Sequence, residues 1–203
     1  MERDIRIITL GETGVGKTSI IKRICLQKFN KNEFSTDVTG FYILTKDYKK
    51  KNVKMNLYFI DTVGQENFIY SLPRQYIRKR HIVLLIYSNK KNFETLKTRW
   101  LKFYKENCDI KKSKFLVVAN KSDIFEGNRE EIIKLGESLA EDIDGFFMSC
   151  SAKNEDNIDN LVNHIITESK RIIDELEKNP CQNGDDHISL KAVKSHKNAK
   201  CCK

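Results

Sequence analysis

The chain has 203 residues, 39% of them hydrophobic, enough for one globular domain with a real core and a segment left over. Its formal charge of +9 points to an acidic partner: nucleic acid, a membrane surface or bound phosphates. No uncharged apolar run reaches bilayer length, Met1 to Leu10 lacks the apolar stretch and cleavage site of a signal peptide, and the six cysteines show no metal-ligand spacing. A cytosolic protein without membrane spans or a disulfide framework is expected.

Ile5 to Leu10 is an apolar run that leads into Gly11-Glu12-Thr13-Gly14-Val15-Gly16-Lys17-Thr18, and Ser19 to Leu26 then carries apolar residues at helical spacing. Phe29 to Gly40 is poor in apolar residues. Phe41 to Tyr48 and Val53 to Ile60 read as two strands of a hairpin with a basic tip at Lys49 to Lys51. A mixed, polar stretch broken by Pro73 precedes Ile82 to Tyr87, a continuous apolar run typical of a buried parallel strand. A helix over Phe93 to Glu106, a strand over Phe115 to Ala119, a helix over Glu130 to Glu141 and a strand over Phe146 to Cys150 follow. Ile158, Leu161, Val162, Ile165, Ile166, Ile172 and Ile173 then line one face of a last helix. Alternating strands and helices predict an α/β fold, a doubly wound, mostly parallel sheet whose ligands bind beyond the carboxyl ends of the strands. The domain is placed at residues 1–177, and residues 178–203, rich in lysine and almost without apolar residues, are expected to be a disordered basic tail.

The glycine loop after the first strand suits phosphate. Its backbone N–H groups and the following helix end make an anion cradle, Lys17 reaches the terminal phosphates, and the Thr18 hydroxyl suits Mg2+. Three further signals follow predicted strands. In Asp61-Thr62-Val63-Gly64-Gln65 the aspartate holds Mg2+ through water, the Gly64 N–H senses a terminal phosphate, and Gln65 orients an attacking water. In Asn120-Lys121-Ser122-Asp123 one carboxylate can accept both adjacent donors of guanine, whereas the N1 acceptor of adenine would be repelled. Ser151-Ala152-Lys153 can supply a backbone N–H to the guanine O6, and Phe29 can cover the base edge. The basic runs Lys49 to Lys51, Arg78 to Arg80 and Lys111 to Lys114 lack interleaved aromatics, so they read as solvated surface and no nucleic-acid partner is expected.

These motifs, in this order, resemble those of the Ras-like small GTPases over roughly residues 4 to 177. The resemblance implies a GTPase whose phosphate loop is Gly14, Val15, Gly16, Lys17, Thr18 and Ser19. It also implies Mg2+ held by Thr18 and Thr36, a γ-phosphate contact at Gly64, and guanine held by Asn120, Lys121 and Asp123 with Ser151, Ala152 and Lys153 in support. Lys17 and Gln65 would carry catalysis, slowly without an activating protein. Thr36 and Gln65 fall in the two segments that respond to the γ-phosphate.

Within that superfamily the Rab branch is the most similar. Cys201-Cys202-Lys203 resembles the paired-cysteine ends that Rab proteins have geranylgeranylated, there is no room between Asp123 and Ser151 for the extra helix of Rho proteins, and Glu2 excludes a myristoylated glycine. That resemblance implies a membrane-anchored switch on the cytoplasmic face of an endomembrane, cycling with the cytosol and regulating vesicle traffic. Its expected partners are an exchange factor, a GTPase-activating protein, a GDP-dissociation inhibitor and effectors that read Phe41, Ile60 and Tyr76. Gly40 before Phe41, Ile60 in place of tryptophan, Val63 in place of alanine, and Ser88-Asn89-Lys90 depart from the branch pattern. The Val63 exchange motivates an alternative, a GTP-binding scaffold with impaired hydrolysis; a Ras-like GTPase outside the Rab branch is another.

Overall fold

A computed structural model describes residues 1–31, 36, 39–63, 77–125 and 127–178. Six strands form one sheet: β1 (Glu2–Leu10), β2 (Gly40–Tyr48), β3 (Val53–Asp61), β4 (Ile82–Tyr87), β5 (Lys114–Asn120) and β6 (Phe146–Cys150), in the order β2-β3-β1-β4-β5-β6. All neighbours are parallel except β2, which pairs antiparallel to β3. The sheet is the mixed, mostly parallel one expected from the sequence.

The continuous apolar runs are explained by burial on both faces. Ile5 and Ile7, Ile82, Leu84 and Ile86, and Leu116 and Val118 point to one face, where they pack on α1 (Lys17–Leu26) and α4 (Ile158–Lys178). Ile8 and Leu10, Val83 and Leu85, and Phe115 and Val117 point to the other, against α2 (residues 90–107) and α3 (Arg129–Asp142). Successive residues on a strand alternate faces, so a strand covered on both sides is apolar at most of its positions, Thr9 and Asn120 being buried exceptions at the site end.

Element ends differ from expectation in ways the side chains explain. Helix α2 starts at Lys90 because the Asn89 side chain caps it, accepting from Asn92 N at 2.9 Å. Its middle, Leu96–Leu101, is a π-helical turn that turns Leu96, Trp100 and Leu101 all into the core. In α4 the stripe expected from spacing is buried at Ile158, Leu161, Ile165, Ile172 and Ile173. Val162 and Ile166 are half-buried, while Glu168 is buried with Arg171 as its ion-pair partner. The β2–β3 turn is a 3-10 segment, Lys49–Lys51, whose Lys51 bridges to Asp174 and Glu177 of α4. Arg80, expected on the solvated surface, is buried instead, with only 8% of its surface exposed.

Among the described residues no helix is long and apolar enough to cross a membrane. Residues 179–203, with Cys201 and Cys202, lie outside the described residues, as do Gly64, Gln65 and Tyr76.

Candidate nucleotide site

The carboxyl ends of β1, β3, β5 and β6 converge on a cavity of about 390 Å³. Its lining includes Thr13, Gly14, Gly16, Lys17, Thr18 and Ser19 from the glycine loop and α1, with Phe29 and Thr36 from the segment that follows. Asn120, Lys121, Asp123, Ala152 and Lys153 close the opposite side. Most of the predicted site residues are thus brought to one place, although they are separated by more than a hundred positions in the chain.

The loop has its shape because glycine is needed where it stands. At Gly16 the backbone is left-handed (φ +94°), and a Cβ there would come within 2.3 Å of the Asn120 Nδ2; at Gly11 a Cβ would meet the Ile86 carbonyl at 2.2 Å. Val15 has no exposed surface, so its side chain belongs to the core and only its backbone serves the site. Its carbonyl accepts from Asn120 Nδ2 at 2.8 Å. Lys17 is almost wholly buried, with Nζ donating to the carbonyls of Gly11 at 3.0 Å and Glu12 at 3.1 Å. Burial pulls its pKa down to about 8 against the opposing pull of the Asp61 and Glu12 carboxylates.

Three oxygens meet at the loop's end. Thr18 Oγ1 donates to Asp61 Oδ2 at 2.6 Å, and because its proton is committed there, Thr36 Oγ1 is the donor in the 2.8 Å contact between the two hydroxyls. Asp61 Oδ1 is buried and makes no hydrogen bond. Thr62 pins this strand end to β1, donating from Oγ1 to the Thr9 carbonyl at 2.7 Å. Two hydroxyls and a carboxylate beside a lysine form a hard-oxygen set, which fits Mg2+ bound together with phosphate.

On the other side Asp123 is positioned by its neighbours. Ser151 Oγ donates to Asp123 Oδ1 at 2.6 Å and Lys153 Nζ lies 3.5 Å from Oδ2. Burial opposes ionisation, but these donors outweigh it and hold the Asp123 carboxyl below its usual range. Ser151 itself is fully buried and serves as a support for the carboxylate. Asn120 Oδ1 accepts from Ala152 N at 3.2 Å and from the Cys150 thiol, whose pKa burial pushes up to about 12, so that it stays protonated. Lys121 adopts a left-handed backbone (φ 68°) between Asn120 and Asp123.

Arg23 was not singled out from the sequence. From the last turn of α1 it donates from Nε to the Ala152 carbonyl at 2.9 Å and from Nη2 to that of Lys153 at 3.1 Å, pairs with Glu155 at 2.6 Å, and lies 5.5 Å from the Phe29 ring centroid. It ties α1 to the base loop and braces Phe29 at the cavity edge. Of the expected effector residues, Phe41 is exposed; Ile60 is 3% exposed and packs in the core, so it offers no side chain to a partner.

Comparison with known proteins agrees with this geometry. The Ras family profile matches residues 6–171. The chain is 32% identical over 177 residues to the Ras-related protein SEC4 of Saccharomyces cerevisiae, covering 86% of this chain and 78% of that protein. It is 31% identical over 162 residues to Ras-related protein Rab-13 of Mesocricetus auratus, with 79% and 77% covered. To Ras-related protein Rab-8A of Bos taurus it is 29% identical over 188 residues, with 91% and 88% covered. The chain belongs to the Ras family, as a divergent Rab-type small GTPase.

Proposed function

We propose that this GTPase is a membrane-anchored switch that binds GTP and GDP and hydrolyses GTP slowly in the control of vesicle traffic. The observation that carries the guanine preference is the Asp123 carboxylate, kept ionised at the cavity wall by Ser151 and Lys153. An ionised carboxylate accepts two hydrogen bonds from the N1–H and exocyclic amine of guanine, while Asn120, which takes the Ala152 N–H, fixes the Ser151 to Lys153 loop at the remaining polar edge and Phe29 covers the ring.

Lys17 and the loop N–H groups hold the terminal phosphates and neutralise charge that grows on them in the transition state. Thr18 and Thr36 would ligate Mg2+ and Asp61 would hold it through water; when bound, the ion supplies further positive charge at the phosphates. Gln65 orients the attacking water, whose oxygen forms the new bond to the γ-phosphorus as the bond to the β-phosphate oxygen breaks, yielding GDP and phosphate. Two geranylgeranyl chains on Cys201 and Cys202 supply the anchor to an endomembrane. An exchange factor, an activating protein, a GDP-dissociation inhibitor and effectors meeting Phe41 and Tyr76 complete the cycle.

The test is Asp123→Asn, which exchanges an acceptor for a donor at the base. Nucleotide competition should move from guanine toward xanthine nucleotides; unchanged selectivity would remove Asp123 from the base site. Single-turnover hydrolysis with Gln65→Leu and Val63→Ala separates a timed switch from a scaffold that holds GTP. The second reading is favoured by Val63, whose side chain is buried where the family pattern has alanine. If the wild type hydrolyses only after Val63 becomes alanine, that reading is correct.

A further inference from the structure

The glycine loop carries an acid, Glu12, inside a site built for anions. Its carboxylate is held away from the cavity: Asn92 Nδ2 donates to Glu12 Oε2 at 2.7 Å, and Asn92 Oδ1 in turn accepts from Ser88 Oγ at 2.9 Å. Asn92 lies in the first turn of α2, after Lys90 and Lys91, so the carboxylate rests at the positive end of the helix. Glu12 is absent from the cavity lining, whereas its neighbours Thr13 and Gly14 are part of it. The carboxyl end of β4 lies against the loop, as the close approach of Gly11 to Ile86 shows.

We propose that Asn92 is a positioning residue which parks the Glu12 carboxylate at the start of α2 and so keeps a negative charge out of the phosphate cradle. Without the amide, Glu12 is free to turn toward the cavity and repel the bound phosphates. GTP suffers more than GDP, because its γ-phosphate adds negative charge at the end of the cradle where the loop's Glu12-Thr13 segment lies. The proposal rests on the GTP and GDP binding described above.

The experiment measures the affinities of full-length wild type, Asn92→Ala, Glu12→Gln and the double variant for fluorescent GDP and a non-hydrolysable GTP analogue. Asn92→Ala should weaken the GTP analogue by about tenfold more than GDP. The double variant should regain the GDP-to-GTP ratio of Glu12→Gln, because a neutral side chain no longer needs parking. A merely structural contact gives the opposite result: both nucleotides weaken together and Glu12→Gln restores nothing, which overturns the proposal. Asn92→Asp, which keeps the size of the side chain but repels Glu12, should reproduce the GTP-selective loss if Asn92→Ala is poorly folded; an unchanged ratio there also overturns it. Wild-type protein that binds neither nucleotide would refute the reading of the site itself, a result distinct from binding that is indifferent to Asn92.

Discussion

The side-chain amide of Asn120 donates to the Val15 carbonyl at 2.8 Å, fastening the base-recognition strand end to the phosphate loop. One residue thereby sets the distance between the two halves of the nucleotide site. Asn120→Ala frees the Val15 carbonyl and the Ala152 N–H together, at a cost of about 1–3 kcal/mol for buried groups left unpaired. GDP release, followed by the fluorescence of a labelled nucleotide, should accelerate by at least tenfold. Gly16→Ala should have a comparable effect, because its Cβ occupies the place of that amide.

Arg23 makes a different prediction, since it touches the base loop from α1 without entering the cavity. Arg23→Lys keeps the charge but cannot serve two carbonyls and Glu155 with one planar group. Nucleotide release should speed up while the preference for guanine over xanthine stays as in the wild type. A change of base preference would show that Arg23 does more than hold the loop.

Tyr87 reaches into α3. Its hydroxyl donates to the Ile132 carbonyl at 2.6 Å and takes a hydrogen bond from the Gly136 backbone, standing within a helical turn that only glycine leaves open. A Cβ at Gly136 would come within 2.3 Å of that hydroxyl and 2.2 Å of the Phe147 ring. Gly136→Ala should lower stability by about 1–3 kcal/mol despite the better helix propensity of alanine. Urea unfolding measures this, and a stabilised variant would contradict it.

His164 gives the fold an acid-side sensitivity. Its ring stacks on Phe146 at 3.9 Å, and burial holds its pKa below the ordinary value of 6.5; Glu168 pulls upward and Arg171 downward. The unfolded chain therefore takes up a proton near pH 6.5 before the folded one does, so His164 contributes nothing above that pH and costs stability as the pH falls below it. In His164→Gln the decline between pH 7 and 5 should be shallower. Parallel curves for the two proteins would show that His164 does not titrate differently on folding.

Strands β4 and β5 were legible because a strand buried on both faces writes itself as an unbroken apolar run. The nucleotide residues were legible because phosphate and guanine chemistry is concentrated in short contiguous stretches. Arg23 and Asn92 were not, since each is a lone polar residue on a helix whose partner lies 129 or 80 positions away. Burial of Ile60 is not legible from the family pattern, which speaks of a position, whereas the β3 register turns this isoleucine into the core cluster with Ile77 and Leu10. The α2 start was placed late because Lys90, Lys91 and Asn92 carry no apolar signal and the Asn89 cap alone defines it.

The bridge from Lys51 to Asp174 and Glu177 also has a mechanical meaning. The β2–β3 ribbon, paired from Gly40 opposite Asp61 to Tyr48 opposite Val53, is a stiff rod about 30 Å long. One end stands beside Thr36 and Asp61, and the other is fastened to the last turns of α4, from which the chain continues toward its C-terminus. The β2–β3 pairing thus sets a fixed separation between the turn held by α4 and the hydroxyl and carboxylate oxygens at the nucleotide end.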